Sequence, residues 1–300
     1  MEHLAIMLVV ISAVLHAGWN LLGKRYSGSG ISFALAASLA ASFFLLPYLL
    51  WYLTVLGFER LPKEFWQLLL LSGFCQIVYM VGLVYAYKHA DIGVIYPIAR
   101  ALPVLIVGAA NLLLGFPLTL MQWCGFALIT LGCVFVPLTS FTQVTFKAYW
   151  NWGVFWALVA AVGTAGYSII DKQALSLLSQ AAYSLLNDKQ SAVFYLGAQF
   201  WAMGLPILFW CLLTNNKQEI IKAWHMRKNG SLAGAMMATT YGLVLSAMTM
   251  TDNVSLVVAL RQISIVFGLL MGVWFLKERW FATRSLSVIT ILLGLFLSLA

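Results

Sequence analysis

The 300 residues fall into about ten apolar runs, each near the twenty residues that an α-helix needs to cross a hydrocarbon core of about 30 Å. That patterning closes most folds to the chain. A barrel strand needs only about 9–11 residues and alternates strictly, whereas these runs continue without alternation. Backbone inside lipid must satisfy its own hydrogen bonds, so runs of this length predict helices. The expected spans are 3–23, 31–54, 65–87, 93–113, 119–139, 151–171, 192–213, 231–250, 254–276 and 282–300. Charged residues make up 9% of the sequence, against about 25% in a soluble domain, so no separable soluble domain is expected. Met1-Glu2-His3 supplies no basic region and no small-residue cleavage site follows it, so the first run reads as a retained helix. The fold class is an all-α membrane protein.

The net charge of +8 does not point to nucleic acid, because the basic residues are scattered between the apolar spans. There they mark loops and headgroup contacts with the lipid bilayer. Cys75, Cys124, Cys133 and Cys211 all lie inside apolar runs and lack metal-ligand spacing. No acidic pair within a helix and no phosphate-cradling glycine loop is present, so neither an enzyme nor a cofactor is expected. Residues 139–150 separate two halves. Residues 172–191 carry apolar residues at helical spacing and read as an amphipathic helix in the interface, and 214–230 form the most charged loop.

The halves repeat. His16-Ala17-Gly18-Trp19-Asn20 leads to Lys24, and Thr164-Ala165-Gly166-Tyr167-Ser168 leads to Lys172; Leu46-Pro47 returns as Leu205-Pro206; Asp91 precedes Arg100 by nine residues, as Asp252 precedes Arg261. The order is kept at offsets of 148, 159 and 161 residues. Units of 1–140 and 150–300 would each hold five helices. An odd number sends the second copy into the membrane from the opposite side, which is the inverted repeat that secondary transporters rock about a midplane site.

Arg100 and Arg261 lie about seven residues, roughly 10 Å, inside their spans. An intramembrane arginine costs at least about 2.5–3.5 kcal/mol and faces a cavity or a partner. Asp91 and Asp252 are 2.5 turns away on the opposite helix face, so no local ion pair is available. The arginines either hold an anionic group of a solute or bond structurally to carbonyls. Lys24 and Lys172 either snorkel to headgroups or take part in binding. Trp19, Asn20, Tyr167 and Ser168 combine ring faces with hydrogen-bonding groups, as pocket linings do. His16 could couple proton movement or only pack. Tyr96, Asn111, Gln199, Tyr241 and Gln262 complete the candidates. Gly230-x-x-x-Gly234 and Gly268-x-x-x-Gly272 read as close helix contacts within the bundle, with a homodimer left open.

Together these features resemble the drug/metabolite transporter superfamily, in its ten-helix EamA-type branch. The resemblance rests on the motifs ending in Lys24 and Lys172 and on the turn Leu276-Lys277-Glu278-Arg279, whose first-half counterpart has Pro117 in place of the acid. It implies a carrier in a membrane, such as the bacterial inner membrane. The related small multidrug resistance proteins carry a membrane-embedded Glu eight residues before the first-helix Lys, where this chain has His16 and Thr164. With no buried acid at that place and two intramembrane arginines, a small anionic or zwitterionic metabolite is expected: an amino acid, an organic acid, or a phosphorylated or phosphonate compound. Neutral or cationic drug-like solutes, or a membrane protein that transports nothing, are the alternatives. The family pattern puts the termini in the cytoplasm. The basic residues, four on the side this makes inside against eleven on the other, favour the reverse.

Overall fold

The computed structural model describes residues 3–25, 30–89, 92–113, 115–136, 138, 140, 151–277 and 279–299, with the side chains of 19–25, 87, 92–98 and 276 outside the description. The first half contains α1 (His3–Arg25), α2 (Gly30–Leu56), a 3₁₀ turn (Phe58–Arg60), α3 (Lys63–His89), α4 (Ile92–Leu113) and α5 (Leu120–Phe135). The second contains α6 (Trp152–Ala182), α7 (Asp188–Leu213), α8 (Lys217–His225), α9 (Arg227–Met248), α10 (Val254–Leu260), α11 (Ile263–Leu276) and α12 (Ala282–Leu299). No strand occurs among the described residues. Among the described residues, seven segments are long and apolar enough to cross a membrane: α2, α3, α6, α7, α9, α10–α11 taken together, and α12. Shorter apolar stretches lie in α1, α4 and α5.

Side-chain distribution is that of a lipid-facing bundle. Phe44, Leu113, Trp274 and Phe296 point outward and exposed, while Ser38, Ser42, Ser72, Arg100, Asp171 and Arg261 are buried. Polar side chains start the helices where free N–H groups need acceptors. Thr119 with Gln122 and Asn187 with Gln190 form capping boxes, and Asn151 and Asn253 cap α6 and α10.

The halves pack across each other in antiparallel pairs. Ser32, near the start of α2, donates to Glu219 beyond the end of α7 at 2.5 Å. At the other end, Tyr48 and Tyr52 of α2 meet Gln190 and Ser191 at the start of α7. Asn111, late in α4, donates to Asn253 and Ser255 at the start of α10. Gly125 of α5 lies against Gly294 of α12, and Gly132 against Ser287 and Ile291. In α3 and α6, Gly82 meets Ala160 and Gly163 meets Tyr79; a Cβ on Gly163 would fall 2.6 Å from the Tyr79 nitrogen, so only glycine permits this approach. Gly230 and Gly234 of α9 press on Ala36 and Ala37 of α2, inside the bundle as expected, whereas a Cβ on Gly268 would meet no atom within 4 Å.

Two expectations change. Residues 172–191 are not one interfacial helix: α6 runs unbroken for 31 residues to Ala182, and α7 begins at Asp188. Buried positions Asp171, Ala174, Leu175, Leu178 and Ala182 keep the 3–4 spacing of one packed face, which is why the helix continues. The ninth span is interrupted at Arg261–Gln262. There, Gln262, Ser264 and Ile265 bond three residues back rather than four, a tightened 3₁₀-like turn in the middle of the span. Glu278, in the turn used for the family resemblance, lies outside the described residues.

Candidate functional site

The tightened turn positions both intramembrane arginines, in different ways. Arg100 reaches from α4 and donates through Nη2 to the Arg261 carbonyl at 3.1 Å and to the Ser264 hydroxyl at 2.7 Å. The carbonyl of Val258, passed over by the shifted backbone ladder, takes the side-chain amide of Gln262 at 2.9 Å. Arg100 and Gln262 therefore stabilise the turn. Arg261 is the residue that the turn presents to a cavity.

The cavity holds about 80 Å³, room for several waters at roughly 10–15 Å³ each. It opens between helices of both halves. His16 of α1 and Gln76, Tyr79 and Met80 of α3 come from the first half. Tyr167 of α6, then Gln199, Phe200 and Met203 of α7, line it from the second, with Met237, Thr240 and Tyr241 of α9 and Arg261. Three tyrosine rings stand edge to face along it. Tyr79 and Tyr167 have centroids 6.1 Å apart, and Tyr167 and Tyr241 are 5.8 Å apart. The Arg261 guanidinium lies over the Tyr241 ring, 5.4 Å from its centroid. Its Nη1 is buried with no hydrogen-bond partner, and so is the hydroxyl of Thr240.

Behind this wall sits a carboxylate that the sequence reading did not find. Asp171 is fully buried. Its Oδ1 accepts from Ser72 of α3 at 2.5 Å and from Tyr195 and Gln199 of α7 at 2.7 and 2.8 Å, and its Oδ2 accepts from Tyr241 of α9. Gln199 also donates to the Ser72 hydroxyl. Four donors from three helices stabilise a charged carboxylate where lipid-like surroundings would otherwise oppose it. Tyr241 and Gln199 face both this carboxylate and the cavity. The signal was present in the sequence, since Asp171 precedes Lys172 in the repeated motif. It was hidden because the expected span stopped at 171, which put the acid at a helix end.

The remaining candidates are placed as follows. His16, Tyr167 and Arg261 line the cavity, as do Gln199 and Tyr241. Ser168 is turned back on its own helix, donating to the Thr164 carbonyl at 2.7 Å. Lys172 caps α9, its Nζ donating to the carbonyls of Met248 and Thr251 at 2.9 and 2.7 Å with Asp252 3.8 Å away. Asn111 ties α4 to α10. The side chains of Trp19, Asn20, Lys24 and Tyr96, and all of Asp91, lie outside the described residues. Among the described residues no group of His, Cys, Asp or Glu could hold a metal ion.

Residues 3–138 match the EamA-like transporter family. No curated protein matches the sequence. Among solved structures 26 chains match. One, titled only as the crystal structure of a protein, is 15% identical with a TM-score of 0.68, over 98% of this chain and 96% of its own length. At that identity the likeness shows the fold alone.

Proposed function

We propose that this membrane protein, whose first half matches the EamA-like transporters, is a secondary carrier of a small anionic or zwitterionic metabolite, working by alternating access between units 1–140 and 150–300. The observation that carries the reading is Arg261: a buried guanidinium, presented by a break in a membrane span, that lines a cavity between the two halves and has one nitrogen without a hydrogen-bond partner. Broken spans around a central site are the usual construction of such carriers. The antiparallel pairing of α2 with α7, α4 with α10 and α5 with α12 supports ten crossings in two inverted units. Equivalent helices related by an axis in the membrane plane must run in opposite directions.

The site residues of this reading are Arg261, His16, Tyr167, Thr240 and Tyr241, with Arg100 and Gln262 holding the turn. In this reading His16, which lines the cavity, couples proton movement to transport. A neutral or cationic solute would leave the Arg261 charge uncompensated. The membrane is the bacterial inner membrane. The test is exchange of labelled carboxylate- and phosphate-bearing solutes by reconstituted protein. The wild type should exchange at least one of them and Arg261→Ala should lose that activity. Drug resistance conferred by both forms alike, with no anion exchanged by either, would sink the idea.

A further inference from the structure

We infer that the cavity is built for a monoanionic carboxylate with an apolar body, its two oxygens taken by Arg261 and Thr240. This deepens the carrier reading, and rests on it only for movement of the bound solute across the membrane.

The first observation is the pair of unused donors. Arg261 is 7% exposed and Thr240 is 3% exposed. Neither the Arg261 Nη1 nor the Thr240 Oγ1 has a partner, and both residues line the same cavity. Thr240 is held in place through its backbone, whose carbonyl accepts from Ser12 at 2.8 Å, so its hydroxyl is left over for something else. Leaving a buried donor unmade is costly, by about 1–3 kcal/mol and more for a charged group. A ligand with two acceptor oxygens on one carbon would satisfy both. The planar guanidinium suits a carboxylate better than a single carbonyl.

The second observation is charge. Among the described residues, the buried arginines and acids are Arg100, Arg261 and Asp171. The one buried carboxylate is already met by four donors, so the anionic partner that Arg261 lacks must come from the ligand. A zwitterion brings no net charge. Its ammonium would also need an acceptor, and the nearest carboxylate, Asp171, already accepts from four side chains. A phosphate dianion would call for a second cation, and Arg100 is committed to the Arg261 carbonyl and Ser264. The other titratable groups on the cavity are His16, Tyr79, Tyr167 and Tyr241.

The third observation is the rest of the wall. Met80, Met203, Met237 and Phe200 lie with the tyrosine rings around the cavity. Methionines adapt to different apolar shapes, so the site would accept a family of tails on a fixed carboxylate anchor.

The test uses purified full-length protein and four probes that share one ring: phenylacetate, phenylacetamide, L-phenylalanine and benzylphosphonate. Binding is read as thermal stabilisation over a concentration series. Phenylacetate should stabilise at least about tenfold more tightly than the other three, the loss expected when a charged hydrogen bond is removed. Arg261→Gln should abolish the difference. Thr240→Val, which keeps the shape and removes only the hydroxyl, should weaken phenylacetate several-fold without lowering the unliganded Tm. Equal stabilisation by the amide, the amino acid or the phosphonate would overturn the inference, as would no stabilisation by phenylacetate or an undiminished effect in either variant. If phenylacetate binds as expected but reconstituted protein exchanges neither it nor any other carboxylate- or phosphate-bearing solute, the carboxylate seat stands and the carrier reading fails.

Discussion

At the scale of single residues, the division of labour between the arginines is the main result. Sequence spacing treats Arg100 and Arg261 as equivalents, nine residues after an Asp in each half. Burial treats them alike too, at 6% and 7% exposed. Only their partners separate them: Arg100 is bonded to the Arg261 carbonyl and the Ser264 hydroxyl, whereas Arg261 lies over the Tyr241 ring and lines the cavity. Asp171 makes the complementary point. Its four donors have no other acceptor of comparable strength, so removing the carboxylate leaves buried polar groups unmet on three helices. Asp171→Ala should destabilise the protein by roughly 3–5 kcal/mol, as breaking a buried charged interaction does. Asp171→Asn keeps a carbonyl oxygen for Ser72, Tyr195 and Gln199 and should cost about half as much. Unfolding of the purified variants in a mixed-detergent titration would measure both. A loss under about 1 kcal/mol for the alanine variant would show that the network is dispensable. The motif around residues 164–172 was legible in the sequence, but the role of its acid was not. Depth in a helix follows from where the helix ends, and composition places ends only to within a few residues.

At the scale of elements, the sequence located the apolar helices because hydrophobicity decides them, and it missed the features that backbone hydrogen bonding decides. Nothing in Val254 to Leu276 signals a break, since the run holds no Gly or Pro near Arg261. The 3₁₀-like turn exists because side chains satisfy what it leaves open: Gln262 takes the Val258 carbonyl, and Arg100 takes that of Arg261. Those partners come from residue 262 itself and from a helix 161 positions away, a contact that no local pattern reveals. The turn should therefore depend on Arg100. Arg100→Gln is expected to cost about 1.5–3 kcal/mol of stability, the range for hydrogen bonds to a charged group. It should also weaken anion binding, although Arg100 does not line the cavity. Comparing the unliganded unfolding midpoint with phenylacetate affinity separates the two effects. An Arg100→Gln protein of unchanged stability and affinity would mean that the ninth span holds its shape alone.

At the scale of the whole molecule, length and composition pick out seven spans among the described residues, while the proposed inverted repeat predicts ten crossings. The difference lies in α1, α4 and α5, whose apolar stretches are shorter. All three pack against helices that qualify as spans: α1 against α9, α4 against α6, and α5 against α12 along its length. A helix pressed lengthwise on a membrane-crossing partner through glycine contacts, as Gly125 and Gly132 are on α12, shares that partner's depth in the bilayer. The two counts differ in parity, which makes them separable. Ten crossings return the chain to its starting side, and seven leave its ends on opposite sides. Epitope tags on both ends, probed with protease in sealed vesicles of known orientation, should be cleaved together. Cleavage of one alone would refute the ten-crossing arrangement and with it the inverted repeat. The same vesicles decide orientation. Lys217, Lys222, Arg227 and Lys228 cluster at the end of the bundle where Ser32 meets Glu219. Basic loops are retained in the cytoplasm, so this end should be cytoplasmic. Because α2 and α9 start there and α7 finishes there, an even number of crossings then puts both tags outside. A cysteine placed at Asn229 should accordingly react with an impermeant maleimide only in inside-out vesicles, and one at Phe58 only in right-side-out ones.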